Sequence, residues 1–202
     1  AGMPDGDVSG DSNAEYSTWG AWAMGSPDIS PNAGDQNAAV HLGFWVAGEV
    51  LDQSDIPTSG SASMTGRAVF NVAYRYNQAN SDYGVTQYST DADVSASFNW
   101  GSGSYSGQLD FANFDSGNSI VSNAGFTSFS VSLAGTGATY AGSLNDTNNG
   151  WTREAVIAGA LYGNNTPVES GGRISVGLSK SGSLGTSGAN DFYMAEGIYL
   201  ID

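Results

Sequence analysis

Near its start the chain reads Asp5-Gly6-Asp7-Val8-Ser9-Gly10-Asp11, with oxygen-bearing residues at alternate positions. That spacing opens a calcium loop: Asp5, Asp7, Ser9 and Asp11 would converge on a hard cation once Gly10 permits the turn. The closing ligand is out of place, because Tyr16 stands where a bidentate Glu belongs and Glu15 comes one residue early. The competing reading is a solvated acidic arm, since chain termini are commonly loosely held. His41, the single histidine, sits in Ala39-Val40-His41-Leu42-Gly43-Phe44. It could ligate haem beside a tyrosine. The plainer reading is a wall or rim residue without chemistry, because a triad or a histidine zinc site needs partners that are not evident. The acids Asp91/Asp93, Asp110/Asp115 and Glu154 (beside Arg153) bound strands. Glycosidase chemistry needs two carboxylates ~5–9 Å apart in a cleft, whereas acids at strand ends are ordinarily solvated gatekeepers. No G-x-S-x-G, P-loop, H-E-x-x-H or dinucleotide fingerprint is present. An enzyme is therefore not expected. Calcium is the cofactor the sequence admits, and haem is not expected.

Bulk composition narrows the partners. Five basic residues face twenty acidic ones, a formal charge of −15 over 202 residues. Phosphate backbones need clustered Lys and Arg, so nucleic acid is excluded, as is docking on anionic lipid. The absence of cysteine removes disulfides, thiolate catalysis and lipid attachment at a Cys within this chain. No apolar run approaches the ~20 residues of a membrane helix, so no membrane span is expected. The first residue is Ala1 rather than Met, which fits either a processed precursor, such as one that has lost a secretory signal, or a trimmed chain.

The elements that must position any site read as β. Charged residues make up 12% of the chain, there are 29 glycines, and ten Tyr, eight Phe and five Trp supply core surface. Residues 1–15 form an extended acidic arm, and 16–202 a single β-barrel domain. Tyr16 to Met24 and Ala38 to Gly48 are short aromatic strands, separated by a loop containing Pro27, Pro31 and Gly34. From Phe70 onward the alternation is strict: Phe70, Val72, Tyr74 and Tyr76 on one face, Asn71, Ala73 and Arg75 on the other. It recurs over Val94–Trp100, Tyr105–Phe111, Phe129–Leu133 and Ile174–Leu178. Gly101-Ser102-Gly103-Ser104 is a tight hairpin, and Asn145–Gly150 a longer one. The pattern gives about ten strands and no helix. The fold class is all-β: an antiparallel up-and-down barrel of about eight strands with extra short N-terminal strands. Trp19, Trp22, Trp45 and Trp100 could line a ligand cavity or fill the core, and the core is the default reading. Trp151, next to Asn149-Gly150, is expected to be exposed. With Asp146 and Asn148 it forms a candidate surface for a ligand or partner, to which His41 is added.

Several strings resemble those of one family. Gly159-Ala160-Leu161-Tyr162-Gly163 followed by Glu169-Ser170-Gly171-Gly172 resembles a "G-A-F-Y-G … E-x-G-G" signature. Tyr16–Trp22 is similar to "Y-x-x-W-G-x-W", Trp45–Gly48 to "W-x-A-G", Ile56–Gly66 to "l-P-x-x-G-x-A-x-Y-x-G", and Phe98–Gly107 to "N-F-G-x-G-x-x-x-G". These strings, in this order across residues 16 to 178, resemble the β-barrel domain of the transferrin-binding protein B-like family. Leu161 and Met64 depart from the usual Phe and Tyr, and the segment between Tyr162 and Gly171 is about a residue longer. The resemblance implies an eight-stranded barrel, secreted or on a bacterial cell surface, that binds rather than transforms. From the residues themselves, Glu169 and Gly171-Gly172 read as structural, with the paired glycines turning a barrel corner.

Three functional readings stand. The first is a non-catalytic extracellular or cell-surface binding module, with a protein partner or small ligand held by loops or the barrel interior. The second is a structural subunit of an extracellular filament or surface assembly, self-associating by strand addition through the N-terminal arm. The third is a small outer-membrane barrel with its apolar face toward lipid.

Overall fold

Eight strands, each flanked by its sequence neighbours, close into a barrel. A computed structural model describes residues 15–26, 39–75, 85–180 and 191–202. The barrel strands are β3 (Ser61–Arg75), β4 (Thr86–Gly101), β5 (Ser104–Ala112), β6 (Phe129–Thr136), β7 (Thr139–Asn148), β8 (Trp151–Tyr162), β9 (Glu169–Lys180) and β10 (Asp191–Ile201), with β10 pairing back on β3. All pairs are antiparallel, as hairpin connections require. The remaining two strands, β1 (Ser17–Ser26) and β2 (Ala39–Gly48), form a separate two-stranded ribbon. The all-β barrel expected from the alternation is present, and the early aromatic strands lie beside it rather than within it.

The period-2 pattern sets which face is dry. Along β4, Ala92, Val94, Ala96, Phe98 and Trp100 are buried, while Asp91, Asp93, Ser95, Ser97 and Asn99 are exposed. The apolar face therefore points into the barrel and the Ser-rich face points out. An outer-membrane barrel has the opposite arrangement, so the third reading fails on this polar exterior. The interior of an eight-stranded barrel is just wide enough for side chains to fill. Phe98 stacks on Trp100 at 5.5 Å, and Phe111 on Phe129 at 4.7 Å.

One end is plugged by chain that the periodicity missed. Between β5 and β6, residues 113–127 tuck Phe114, Ile120, Val121 and Phe126 into the barrel mouth, all fully buried. The segment includes a short helix, α1 (Ser119–Ala124), capped by the Asn118 side chain on the Ile120 amide (2.8 Å) and ended by Gly125 in the left-handed conformation. Six residues are too few to show a helical period. The β7–β8 connection also differs from expectation: strand pairing continues to Asn148↔Trp151, so the turn is Asn149-Gly150 alone. Both turn residues have positive φ (52° and 77°), the requirement of a type I′ turn, which an Asn-Gly pair meets at low cost.

Gly171 and Gly172 do not turn a corner. Both lie inside β9, paired with Leu200 and Tyr199 of β10. Gly172 has no Cβ because one would overlap the Ala158 carbonyl and the Tyr199 hydroxyl; Gly159 is constrained by the hydroxyls of Tyr199 and Tyr140. Gly177, on the same strand, leaves a Cβ 3.9 Å from its nearest neighbour. Gly172→Ala is accordingly expected to cost ~1–3 kcal/mol by overpacking, while Gly177→Ala should shift stability by less than ~0.5 kcal/mol. Urea midpoints of the two variants test this pair; equal midpoints would mean that β9 does not need the open space.

Candidate functional site

A buried carboxylate holds the ribbon to the barrel. Glu169, at the start of β9, is 2% exposed. It accepts the Glu15 and Tyr16 amides at 2.5 and 3.0 Å and the Ser17 hydroxyl. Among the described residues no cation pairs with it, and a buried charge is then tolerable only with such donors around it. Past the ribbon, the chain is stitched back by Leu51 N–H to the Leu161 carbonyl (3.2 Å) and Gly163 N–H to the Glu49 carbonyl (3.2 Å). The neighbouring Ser170 hydroxyl donates to the Ala160 carbonyl (3.0 Å) and meets Tyr140 (2.6 Å), which accepts from Tyr199 (2.8 Å). Burial raises Tyr140 to about 12 and Tyr199 well above the ordinary phenol value, so both remain neutral hydrogen-bonding groups.

The ribbon itself is built by tryptophan–glycine pairing. Gly20 faces Trp45 and Gly43 faces Trp22 across the two strands. A Cβ on either glycine would overlap the opposing indole, so each ring lies over a bare backbone. Trp22 and Trp45 share one face of the ribbon and are 44% and 39% exposed, contrary to the expectation that they fill the core. Trp100 is in the core. Trp19, on the opposite ribbon face, lies with Val69, Ile198 and Leu200 of the barrel wall.

Between β2 and the wall runs an open cleft of about 960 Å³. Phe44, Trp45 and Val46 form one rim. The wall contributes Ala134, Ala141, Ala158 and Ala160 together with Thr136, Thr139 and Arg173. Three consecutive β2 residues on the rim mean that the edge of the strand, as well as one face, borders the cleft. β2 pairs only with β1, and among the described residues no backbone bond from 43–47 reaches any other strand. Periodicity could not reveal this site, because the cleft is the space left between two sheets.

The residues singled out from sequence lie elsewhere. Trp151 is 3% exposed, not exposed as expected; it packs into the plugged end with the Lys180 ammonium 5.7 Å from its ring. Asn148 donates to the Ala124 carbonyl at 3.1 Å. Asp146 pairs with Arg153 (2.6 Å), whose guanidinium also donates to the Gly125 carbonyl (3.0 Å) and lies 5.5 Å from the Phe126 ring. The structure brings Asp146, Asn148 and Trp151 together, as a clasp that fastens the plug to the β7–β8 hairpin. His41 lies in β2 opposite Met24, and its side chain is outside the described residues. So are Asp5, Asp7, Ser9, Asp11 and the Pro27–Gly34 loop. Asp91 pairs with Arg67, and Asp110 accepts from Gln108 and Ser130, on the outer wall, whereas Asp115 faces the phenols of Tyr88 and Tyr193. Asp110 and Asp115 therefore do not act as a pair. Among the described residues no three His, Cys, Asp or Glu side chains converge.

Glu169→Gln replaces an acceptor with a donor amid three donors, at a cost of ~1–3 kcal/mol. Amide exchange should accelerate across 15–22 and 43–48 while β4 to β6 stay protected; uniform acceleration would assign Glu169 to the barrel rather than the ribbon. The Arg153 hydrogen bonds hold the Asp146 carboxyl below the usual carboxylate range. Its stabilisation is thus present above the unfolded value of about 3.9 and lost as pH falls through the lower folded value. Asp146→Asn is expected to flatten the fall of the urea midpoint on acidification below about pH 4, by up to ~1 kcal/mol for so exposed a pair.

No protein-family model matches the sequence, and no curated protein sequence does. Among solved structures, the chain is similar to a single mutant of the vaccine antigen transferrin-binding protein B from Haemophilus parasuis Hp5, with a TM-score of 0.50 and 17% identity over 95% of this chain and 34% of that one. A double mutant of the same antigen gives a TM-score of 0.48 and 16% identity, over 95% and 33%. The chain thus spans about a third of the length of those proteins. At this identity the likeness is one of fold: the chain carries the barrel architecture of transferrin-binding protein B.

Proposed function

We propose that the protein is a non-catalytic binding module, extracellular or on a cell surface, that takes an extended segment of a protein partner into the cleft beside β2. The observation that carries this reading is the open β2 edge bordering an apolar cleft while the barrel interior is filled. An unpaired strand offers main-chain donors and acceptors to an incoming strand, and alternate side chains supply selectivity. Trp45 gives the rim a rigid aromatic anchor, and the Ala-lined wall gives an incoming backbone close approach. The fold shared with a protein named for binding transferrin supports a binding role without naming the partner. The filament reading uses the same edge, with a second copy as the donor.

Ala141 is exposed on the cleft wall, so Ala141→Arg obstructs the cleft without entering the barrel. A partner captured from the native medium and then purified should bind this variant at least ~10-fold more weakly than the wild type, with an unchanged thermal midpoint. Equal affinities would overturn the cleft as the site. A concentration-dependent increase in sedimenting mass, abolished by the same substitution, would move the assignment from a foreign partner to a second copy of the chain.

A further inference from the structure

A second concavity lies at the plugged end and has a different chemistry. It is a polar hollow of about 350 Å³ between Tyr74, Tyr88 and the turn carrying Asp115, Gly117, Asn118 and Ser119. Asp115 is 9% exposed. The phenols of Tyr88 and Tyr193 (the latter at 2.9 Å) both donate to its Oδ2. Among the described residues Oδ1 receives no hydrogen bond and no basic side chain pairs with the carboxylate; the two ion pairs found are Arg67–Asp91 and Arg153–Asp146. A carboxylate this buried is costly without a cation or a full set of donors.

The surrounding groups are fixed in place. Asp115 and Asn113 have φ of 38° and 58°, on either side of the fully buried Phe114. Such backbone persists where packing over-determines it. The Tyr88 hydroxyl is held between Asp115 and the Asn118 amide (2.8 Å). Tyr74 and Tyr88 meet edge to face at 5.8 Å and form the aromatic side of the hollow. One carboxylate, with phenols and an amide, falls short of the ~6–8 oxygens that calcium takes. An anionic acceptor beside aromatic rings suits an organic cation, and the −15 formal charge favours cation approach. The volume is at the small end of ligand pockets, ~300 Å³ and upward.

We propose that this hollow binds a primary ammonium group, with Asp115 as counter-ion and Tyr74 and Tyr88 as aromatic walls. The ammonium belongs either to a free alkylamine or to a lysine side chain. The site is separate from the β2 cleft and does not depend on it.

The test is NMR titration of the ¹⁵N-labelled full chain, following the Gly117 amide and the Asn118 side-chain amide. The probes are n-butylamine, n-butyrate and a capped Gly-Lys-Gly peptide. Butylammonium should shift both signals saturably and butyrate should not. Asp115→Asn should weaken binding at least ~10-fold, the loss of one charged hydrogen bond. Tyr74→Ala, at the rim, should weaken it severalfold and serves as the measure if Asp115→Asn fails to melt cooperatively. Saturation by the lysine peptide alone would assign the ammonium to a protein; saturation by both probes would assign it to amines in general. An equal response to butyrate, no saturation by either amine, or an affinity unchanged in every folded variant would overturn the proposal.

Discussion

The interior of an eight-stranded barrel has room for side chains and little else. This chain fills it with large aromatics, so the strands carrying small residues must lie opposite the rings. Tyr105 is accommodated by Gly135, and Tyr140 and Tyr199 by Gly159 and Gly172. The hydroxyls of Tyr199 and Tyr140 are satisfied in sequence, Tyr199 to Tyr140 to Ser170 to the Ala160 carbonyl, whereas the buried Tyr105 hydroxyl has no partner among the described residues. Glycine is unfavourable in strands for its own sake. Here its missing Cβ is what lets neighbouring strands close around the rings. The remaining architecture follows from that closure, because a filled barrel has its binding surfaces on the outside.

Each end of the barrel is finished by a different device. At one end the Glu169 carboxylate gathers the Glu15, Tyr16 and Ser17 donors and fixes where the ribbon leaves the wall. At the other, the 113–127 segment inserts Phe114 and Phe126 and is clasped by Arg153, which satisfies the carbonyl of Gly125 past the end of α1. The first device creates the cleft, since it holds β2 beside the wall. The second creates the polar hollow, since it buries Asp115 at the rim of the plug. Both concavities thus exist because a polar group anchors a segment that is not part of the barrel.

Much of the scaffold was legible from residue order. Alternation over Val94–Trp100 and Phe129–Leu133 gave strand identity and the grouping of side chains by face, because successive side chains leave a strand on opposite sides. The strings around Gly159–Gly172 pointed to the barrel but were misread locally. A pair of glycines has the same appearance whether it turns a corner or makes room for a tyrosine across the sheet. The same ambiguity affected tryptophan: Trp151 follows a turn yet is buried by Lys180 and the plug, while Trp22 and Trp45 lie in apolar strings yet are exposed over glycines. The cross-strand register that pairs Gly20 with Trp45 cannot be read from either strand alone.

By itself the sequence determined the all-β class, which side chains share a strand face and the strongly negative charge, because period, residue size and charge are local properties; that the apolar faces point inward was decided by the closed barrel. Tertiary structure decided where recognition can occur. The cleft depends on the distance between β2 and a wall built from strands far along the chain, and the hollow on Tyr74, Tyr88 and Asp115 meeting from three separate segments. Concave surfaces arise from how elements are spaced, and that spacing was set by a buried carboxylate and a plug whose contacts span the chain.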